Sequence, residues 1–343
     1  MIKPKRLKPG ATIAIVSPSA GAAFRFPHIF DYGIQALKDV FGFNIKEYPT
    51  ARLSSEELHG NPQKRAEDIN KAFLDKEVDG IICSIGGDDS IRILKYLDID
   101  LIKNNHKFIM GYSDSTTFLD FLNLNGLVTY YGSSVMAGFA YIQCFDEAID
   151  EYKRVLFSDR QYKLTPFRRW ADSYKTWGEI ENRGKVSEIR DEDIGHRWIN
   201  KGSVTNGRLW GGCIEVLDMM NGTFAWPGMD FWNDRILMIE TSEDKPTPIY
   251  IGYILRNFGI QGILPKLKGL LVAKPKSYSK EEKYELDKEI KKIVIDEFDC
   301  KGLTIITNID FGHTDPRHIL PMGITMRIDP VNEEMIFTET LFS

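Results

Sequence analysis

Between residues 12 and 130 the chain alternates short apolar runs with longer amphipathic ones, and this alternation most restricts the fold. Thr12-Ile13-Ala14-Ile15-Val16 reads as a buried strand and Ile29 to Val40 as a helix. Ser54-Ser55-Glu56-Glu57 opens a second helix, with a serine suited to the N-cap and acids in the first turn. Gly80 to Ile85 is the next strand, and Gly86-Gly87-Asp88-Asp89-Ser90 turns it into a helix carrying Ile91, Leu94 and Leu97. Lys107-Phe108-Ile109-Met110 is another strand, followed by Gly111-Tyr112-Ser113-Asp114 and a helix through Phe118 and Leu122; Leu127 to Tyr130 continues the pattern. Strand, tight turn and helix in repetition describe a parallel sheet with helices on both faces, an α/β arrangement that places ligands at the carboxyl ends of its strands.

Beyond about residue 158 the chain becomes polar and charge-rich up to Gly202, and six tryptophans (170, 177, 198, 210, 226 and 232) fall between there and residue 232. We divide the chain into an N-terminal α/β domain (residues 1–165), a connecting segment (166–202) and a C-terminal domain (203–343). In the last, Gly207 to Met220 reads as a glycine-rich turn and helix. Strands follow at Arg235 to Glu240, Gly269 to Ala273 and Leu303 to Thr307, helices at Ile249 to Phe258 and Ser279 to Glu297, and a hairpin at Ile324 to Phe342. Most of the tryptophans are expected to pack a small second core. Trp170 or Trp177, on a polar connection, could instead form a stacking wall for a flat ligand.

With 44 Lys and Arg against 49 Asp and Glu, the 343-residue chain is mildly acidic, net −5, and has no basic cluster to neutralise phosphates; a nucleic-acid partner is excluded. Ala11 to Val16 is too short an apolar stretch to span a membrane or serve as a signal core, and Ser17-Pro18-Ser19 interrupts it, so a cytoplasmic location is expected. Cys83, Cys144, Cys213 and Cys300 form no C-x-x-C pair and are expected to be free thiols.

Ser113 lies at a strand-to-helix turn, where a serine is either a helix N-cap or an exposed nucleophile with helix-start N–H groups able to stabilise an oxyanion. The second glycine of G-x-S-x-G is absent, Ser115 standing in its place. A serine nucleophile needs a base and an orienting acid. Of six histidines, His28, His59 and His106 read as surface residues and His196 lies in the charged connection. His313 follows an apolar strand beside Gly312, and Glu240 closes the apolar run Ile236 to Ile239. Gly86-Gly87-Asp88-Asp89 lacks a P-loop lysine, and its acids would repel phosphate; close backbone approach to a substrate carbonyl suits it better. Two other readings stay open at this point. One is a metallohydrolase using His313, His318, Asp88, Asp89 and Asp114, although Pro316 prevents a helix from presenting both histidines on one face. The other is a non-catalytic binding module.

Taken together, these segments resemble the LD-carboxypeptidase family of serine peptidases, which includes muramoyltetrapeptide carboxypeptidases and microcin C self-immunity peptidases. The likeness is carried by Ser17-Pro18-Ser19, Ser84-Ile85-Gly86-Gly87-Asp88-Asp89-Ser90, Gly111-Tyr112-Ser113-Asp114, Asn206 to Gly212, Ile239-Glu240-Thr241-Ser242-Glu243, and Phe311-Gly312-His313 with Leu320-Pro321-Met322-Gly323. The resemblance implies a flavodoxin-like or Rossmann-like N-terminal domain with the nucleophile and a smaller β-rich C-terminal domain with the acid and base. It implies Ser113 as nucleophile, His313 as base, Glu240 as the orienting acid, and an oxyanion site at Gly86-Gly87 and Asp114, through the N–H groups of Gly87 and Asp114. It further implies no metal or organic cofactor and a homodimer. The tryptophans of the connection point to the microcin immunity branch, where they stack on the adenine of a peptidyl- or aminoacyl-nucleotide; removal of the terminal D-Ala from a murein tetrapeptide is the alternative. Ala273-Lys274-Pro275-Lys276 departs from the Gly-Arg that the family often has there.

Overall fold

The computed structural model describes residues 1–158, 160–192 and 194–343. Strands β1 (Thr12–Val16), β2 (Asn44–Glu47), β3 (Gly80–Cys83), β4 (Phe108–Gly111) and β5 (Thr129–Tyr131) form a parallel sheet in the order β5-β4-β3-β1-β2. Ile13, Ile15, Ile81, Ile82, Phe108 and Ile109 are all buried, as strands covered on both faces require. The covering helices are amphipathic. Pro27–Phe41, for example, begins on proline and buries Ile29, Phe30, Ile34, Leu37 and Phe41. Ser54 and Glu57 form a reciprocal capping box at the start of the helix Ser55–Gly60.

Arg169–Trp170 (β6) and Arg190–Asp191 (β7) pair as a small ribbon within the connecting segment. Beyond it lie β8 (Arg197–Asn200), β9 (Thr205–Cys213), β10 (Arg235–Glu240), β11 (Gly269–Ala273), β12 (Ile305–Ile309), β13 (Leu320–Met322), β14 (Thr325–Asp329) and β15 (Glu334–Phe337). Seven of them build a second sheet, β15-β14-β9-β10-β11-β12-β8, whose four central strands run parallel. The eighth, β13, leaves its neighbours in sequence and pairs antiparallel with β5, completing the first sheet. Trp210, Trp226 and Trp232 pack edge-to-face or tilted with Phe231 and Phe258, forming the aromatic part of the second core.

Several expectations are corrected. Residues 205–213 are a nine-residue strand rather than a turn. Their glycines serve close approach: Cys213 N–H donates to Thr116 Oγ1 of the first half at 3.1 Å. His28 and His106 are half-buried rather than surface residues; His106 stacks on Phe73 and bonds Val128 O, and His28 bonds Trp177 O. His59 is exposed as expected. Among the described residues no helix is long and apolar enough to cross a membrane.

Candidate active site

The carboxyl ends of the parallel strands of both sheets meet. Ser113 follows β4, Glu240 ends β10, and His313 comes four residues after β12. Ser113 Oγ lies 3.2 Å from His313 Nε2, and His313 Nδ1 lies 2.7 Å from Glu240 Oε2. Three stretches of sequence thus join in one hydrogen-bonded line, buried at every member.

Ser113 holds φ +60, the left-handed region that a non-glycine residue rarely adopts, at a cost of about 1–3 kcal/mol. The surroundings fix it there. Its N–H donates to Tyr131 Oη at 2.9 Å, and the Tyr131 hydroxyl donates to Glu240 Oε1 at 2.7 Å. Tyr131 therefore links the turn carrying the serine to the same carboxylate that holds the imidazole. Two glycines give the line its room. A Cβ at Gly86 would lie 2.9 Å from Ser113 Cβ, and one at Gly312 (φ +84) would lie 2.6 Å from Glu240 Oε2.

The Asp114 side chain turns inward. Its Oδ2 accepts from Ser19 Oγ at 2.5 Å and from Ser90 N–H at 2.8 Å, tying the turns after β1 and β3 to the one after β4. Burial raises its pKa despite these bonds. Only its main-chain N–H could face a substrate. Asp89 is held by Arg65 and Arg92. With Asp114, Asp89 and His313 committed elsewhere, the metal-ligand set drawn from Asp88, Asp89, Asp114, His313 and His318 is not assembled. His318 lies apart, on Glu151.

Sequence reading passed over Glu243. Its Oε2 approaches His313 Nε2 at 2.9 Å from the loop after β10, with 61% of the side chain exposed. A carboxylate only accepts hydrogen bonds, so the Glu243 contact forms when Nε2 is protonated, and with Nδ1 donating to Glu240 the two carboxylates together favour the imidazolium. Burial alone would lower the His313 pKa; Glu240 and then Glu243 outweigh it and raise it to about 9. The Tyr112 ring packs edge-on to the His313 imidazole at 5.0 Å, and the Arg317 guanidinium lies over the Tyr112 ring.

The two candidate aromatic walls differ. Trp170 is buried, and the Lys274 and Lys283 ammonium groups, each 4.6 Å from the centroid, and the Arg190 guanidinium all lie over its ring, which leaves little of it open to a ligand. Trp177 is half-buried, edge-on to Phe26 and stacked with Tyr174. A cavity of about 770 Å³ opens beside Gly87 and Ser19, with Glu56, Asp88, Glu243 and Asp244 in its lining.

Known proteins match both halves of this arrangement. Residues 13–132 match the LD-carboxypeptidase N-terminal domain, and residues 206–328 match the LD-carboxypeptidase C-terminal domain. The chain belongs to the LD-carboxypeptidase family. It is accordingly a hydrolase, a serine peptidase. A Vibrio cholerae protein bearing the name "Putative carboxypeptidase" is 28% identical over 96% of this chain and 95% of its own length. The microcin C7 self-immunity protein MccF of Escherichia coli is 26% identical over 97% and 95%. The crystal structure of an MccF-like protein from Streptococcus pneumoniae in complex with AMP superposes with a TM-score of 0.83 at 28% identity, covering 96% of this chain and 98% of that one. In this member of the family, Lys274 directly follows β11. Its Nζ is enclosed by Asp310, at 2.8 Å, and Glu192.

Proposed function

We propose that the chain hydrolyses the amide bond of an aminoacyl- or peptidyl-nucleotide through Ser113, His313 and Glu240. The observation that carries the reading is the hydrogen-bonded line from hydroxyl through imidazole to carboxylate at the mouth of both sheets. Neutral His313 takes the Ser113 proton as Oγ attacks the amide carbon. The C–N bond then breaks, the leaving nitrogen takes that proton, and water releases the acyl group by the same relay. Glu240 fixes the imidazole tautomer and stabilises its charged form. The oxyanion sits against the N–H groups of Gly87 and Asp114, with Gly86 leaving space beside the nucleophile.

The substrate class rests on the lining. Glu56, Asp88, Glu243 and Asp244 favour a free α-ammonium group over a free carboxylate, and the enclosed Lys274 is not available to a carboxylate. The AMP held by the Streptococcus pneumoniae relative agrees with a nucleotide on the leaving side. We assign the stacking on its base to Trp177, which is half-buried and stacked with Tyr174. The family's LD-carboxypeptidase description supports a second reading, release of the terminal D-Ala from a murein tetrapeptide. Turnover of an aspartyl-adenylate analogue with an amide-type linkage and of a murein tetrapeptide, measured side by side, separates the two. Faster turnover of the tetrapeptide would reverse the assignment. Trp177→Ala is expected to raise KM for the nucleotide substrate about tenfold with kcat little changed, since stacking on one base contributes about 1–3 kcal/mol. An unchanged KM removes Trp177 from the site.

The Glu243 contact has a pH signature. His313 works as a base only when neutral, so kcat/KM climbs with pH toward an inflection near 9. Glu243→Gln removes one of the two carboxylates that favour the imidazolium, so the inflection moves to lower pH and activity at neutral pH increases. A pH–rate profile identical to that of the parent chain would exclude Glu243 from this control.

A further inference from the structure

We propose that His196, Asp310 and His318 bind a divalent transition-metal ion such as Zn²⁺ at the base of the loop that carries His313. One ligand atom from each of the three lies within 4.8 Å of the others. His318 is wholly buried, and its Nδ1 lies 2.6 Å from Glu151 Oε1. The carboxylate fixes the proton on Nδ1, which leaves the lone pair on Nε2. That Nε2 is buried and has no hydrogen-bond partner, and His196 Nε2 is in the same condition. A histidine whose far nitrogen donates to a carboxylate while its near nitrogen points at nothing is arranged as metal-binding histidines are.

Asp310 supplies the third donor. Its Oδ1 accepts from Lys274 Nζ at 2.8 Å and its Oδ2 from Phe167 N–H at 3.1 Å, and each oxygen keeps a second lone pair. Around the three, Glu192 and Asp310 share the buried Lys274 ammonium and Glu151 holds His318, while Arg154 reaches Glu151 from the solvent side at 3.6 Å. The pocket can therefore receive positive charge. Two imidazoles and a carboxylate suit zinc, whose bonds of about 2.0–2.2 Å would draw the donors from their present spread to roughly 3.5 Å apart, with a fourth position for water.

The donors come from three places: the connecting segment just before β8, the end of β12, and the far end of the loop 311–319. His318 N–H already donates to Asp310 O at 2.7 Å, and Ala171 and Asp315 exchange two backbone hydrogen bonds. The ion would clamp the loop's two ends to the connecting segment, five residues from His313. Its role is to position the loop, and it touches no reacting atom.

The test uses the whole chain, stripped with chelator, dialysed, and titrated with Zn²⁺ by calorimetry and with Co²⁺ by visible absorption. The expected result is about one equivalent bound, a d–d spectrum of low-symmetry cobalt, and a higher melting temperature with metal. Glu151→Gln should weaken binding about 10- to 100-fold, His196→Ala and His318→Gln at least as much, while exposed His59→Ala leaves it unchanged. If His318→Gln fails to fold by circular dichroism, the half-buried His196→Ala carries the comparison. Absence of saturable binding by the parent chain overturns the proposal. So does binding that survives His196→Ala, or binding that His59→Ala abolishes.

Discussion

Ser113→Ala is expected to lower kcat by about six orders of magnitude on whichever amide substrate the parent chain turns over, with KM changed far less. The size follows from removing the nucleophile of a unit whose members act together; what survives is the contribution of oxyanion stabilisation and binding. The fold should be unaffected, because the Ser113 side chain makes its contact to His313 while its backbone is held by Tyr131 and Thr116. Single-turnover measurement on the two substrates named above, with circular dichroism as control, checks it. Parent-like turnover by the alanine variant would eliminate the serine mechanism and favour a metal-activated water, which is indifferent to this hydroxyl.

Glu240→Gln is expected to cost about 10⁴-fold in kcat. The carboxylate accepts from Tyr131 on one oxygen and from His313 on the other. Glutamine can satisfy the tyrosine with its carbonyl oxygen, but then presents an N–H₂ to Nδ1. The imidazole must move its proton to Nε2, where it can no longer accept from Ser113. A double variant with Ser113→Ala should fall no further than Ser113→Ala alone, since both act on one step. Additive losses would indicate that Glu240 serves a separate purpose.

Much of this could be read from residue order, because parallel sheets leave a signature of apolar runs ended by small or polar residues. Ser113, Glu240 and His313 each stood at such an end, and each stands at a strand's carboxyl end in the structure. Tyr131 could not be found that way: it lies in an apolar strand, and a buried tyrosine looks like core until its hydroxyl's partners are known. Glu243 looked like one more charged loop residue. The polar neighbours of Trp170 suggest exposure, whereas the ring is buried and the Lys274 and Lys283 ammonium groups sit over it. The strand at 205–213 was concealed by glycines that the approach of the two halves requires. Three-residue β13, with Pro321 at its centre, gave no periodic signal and is defined by the edge it meets.

That last strand bears on how the enzyme comes into being. The sheet that carries the serine is closed by residues made after the histidine, so a ribosome has to pass residue 322 before β5 gains its outer neighbour. A nascent chain halted before residue 320 would leave β5 as a bare sheet edge, its outward N–H and C=O groups without the partners that Leu320 to Met322 supply.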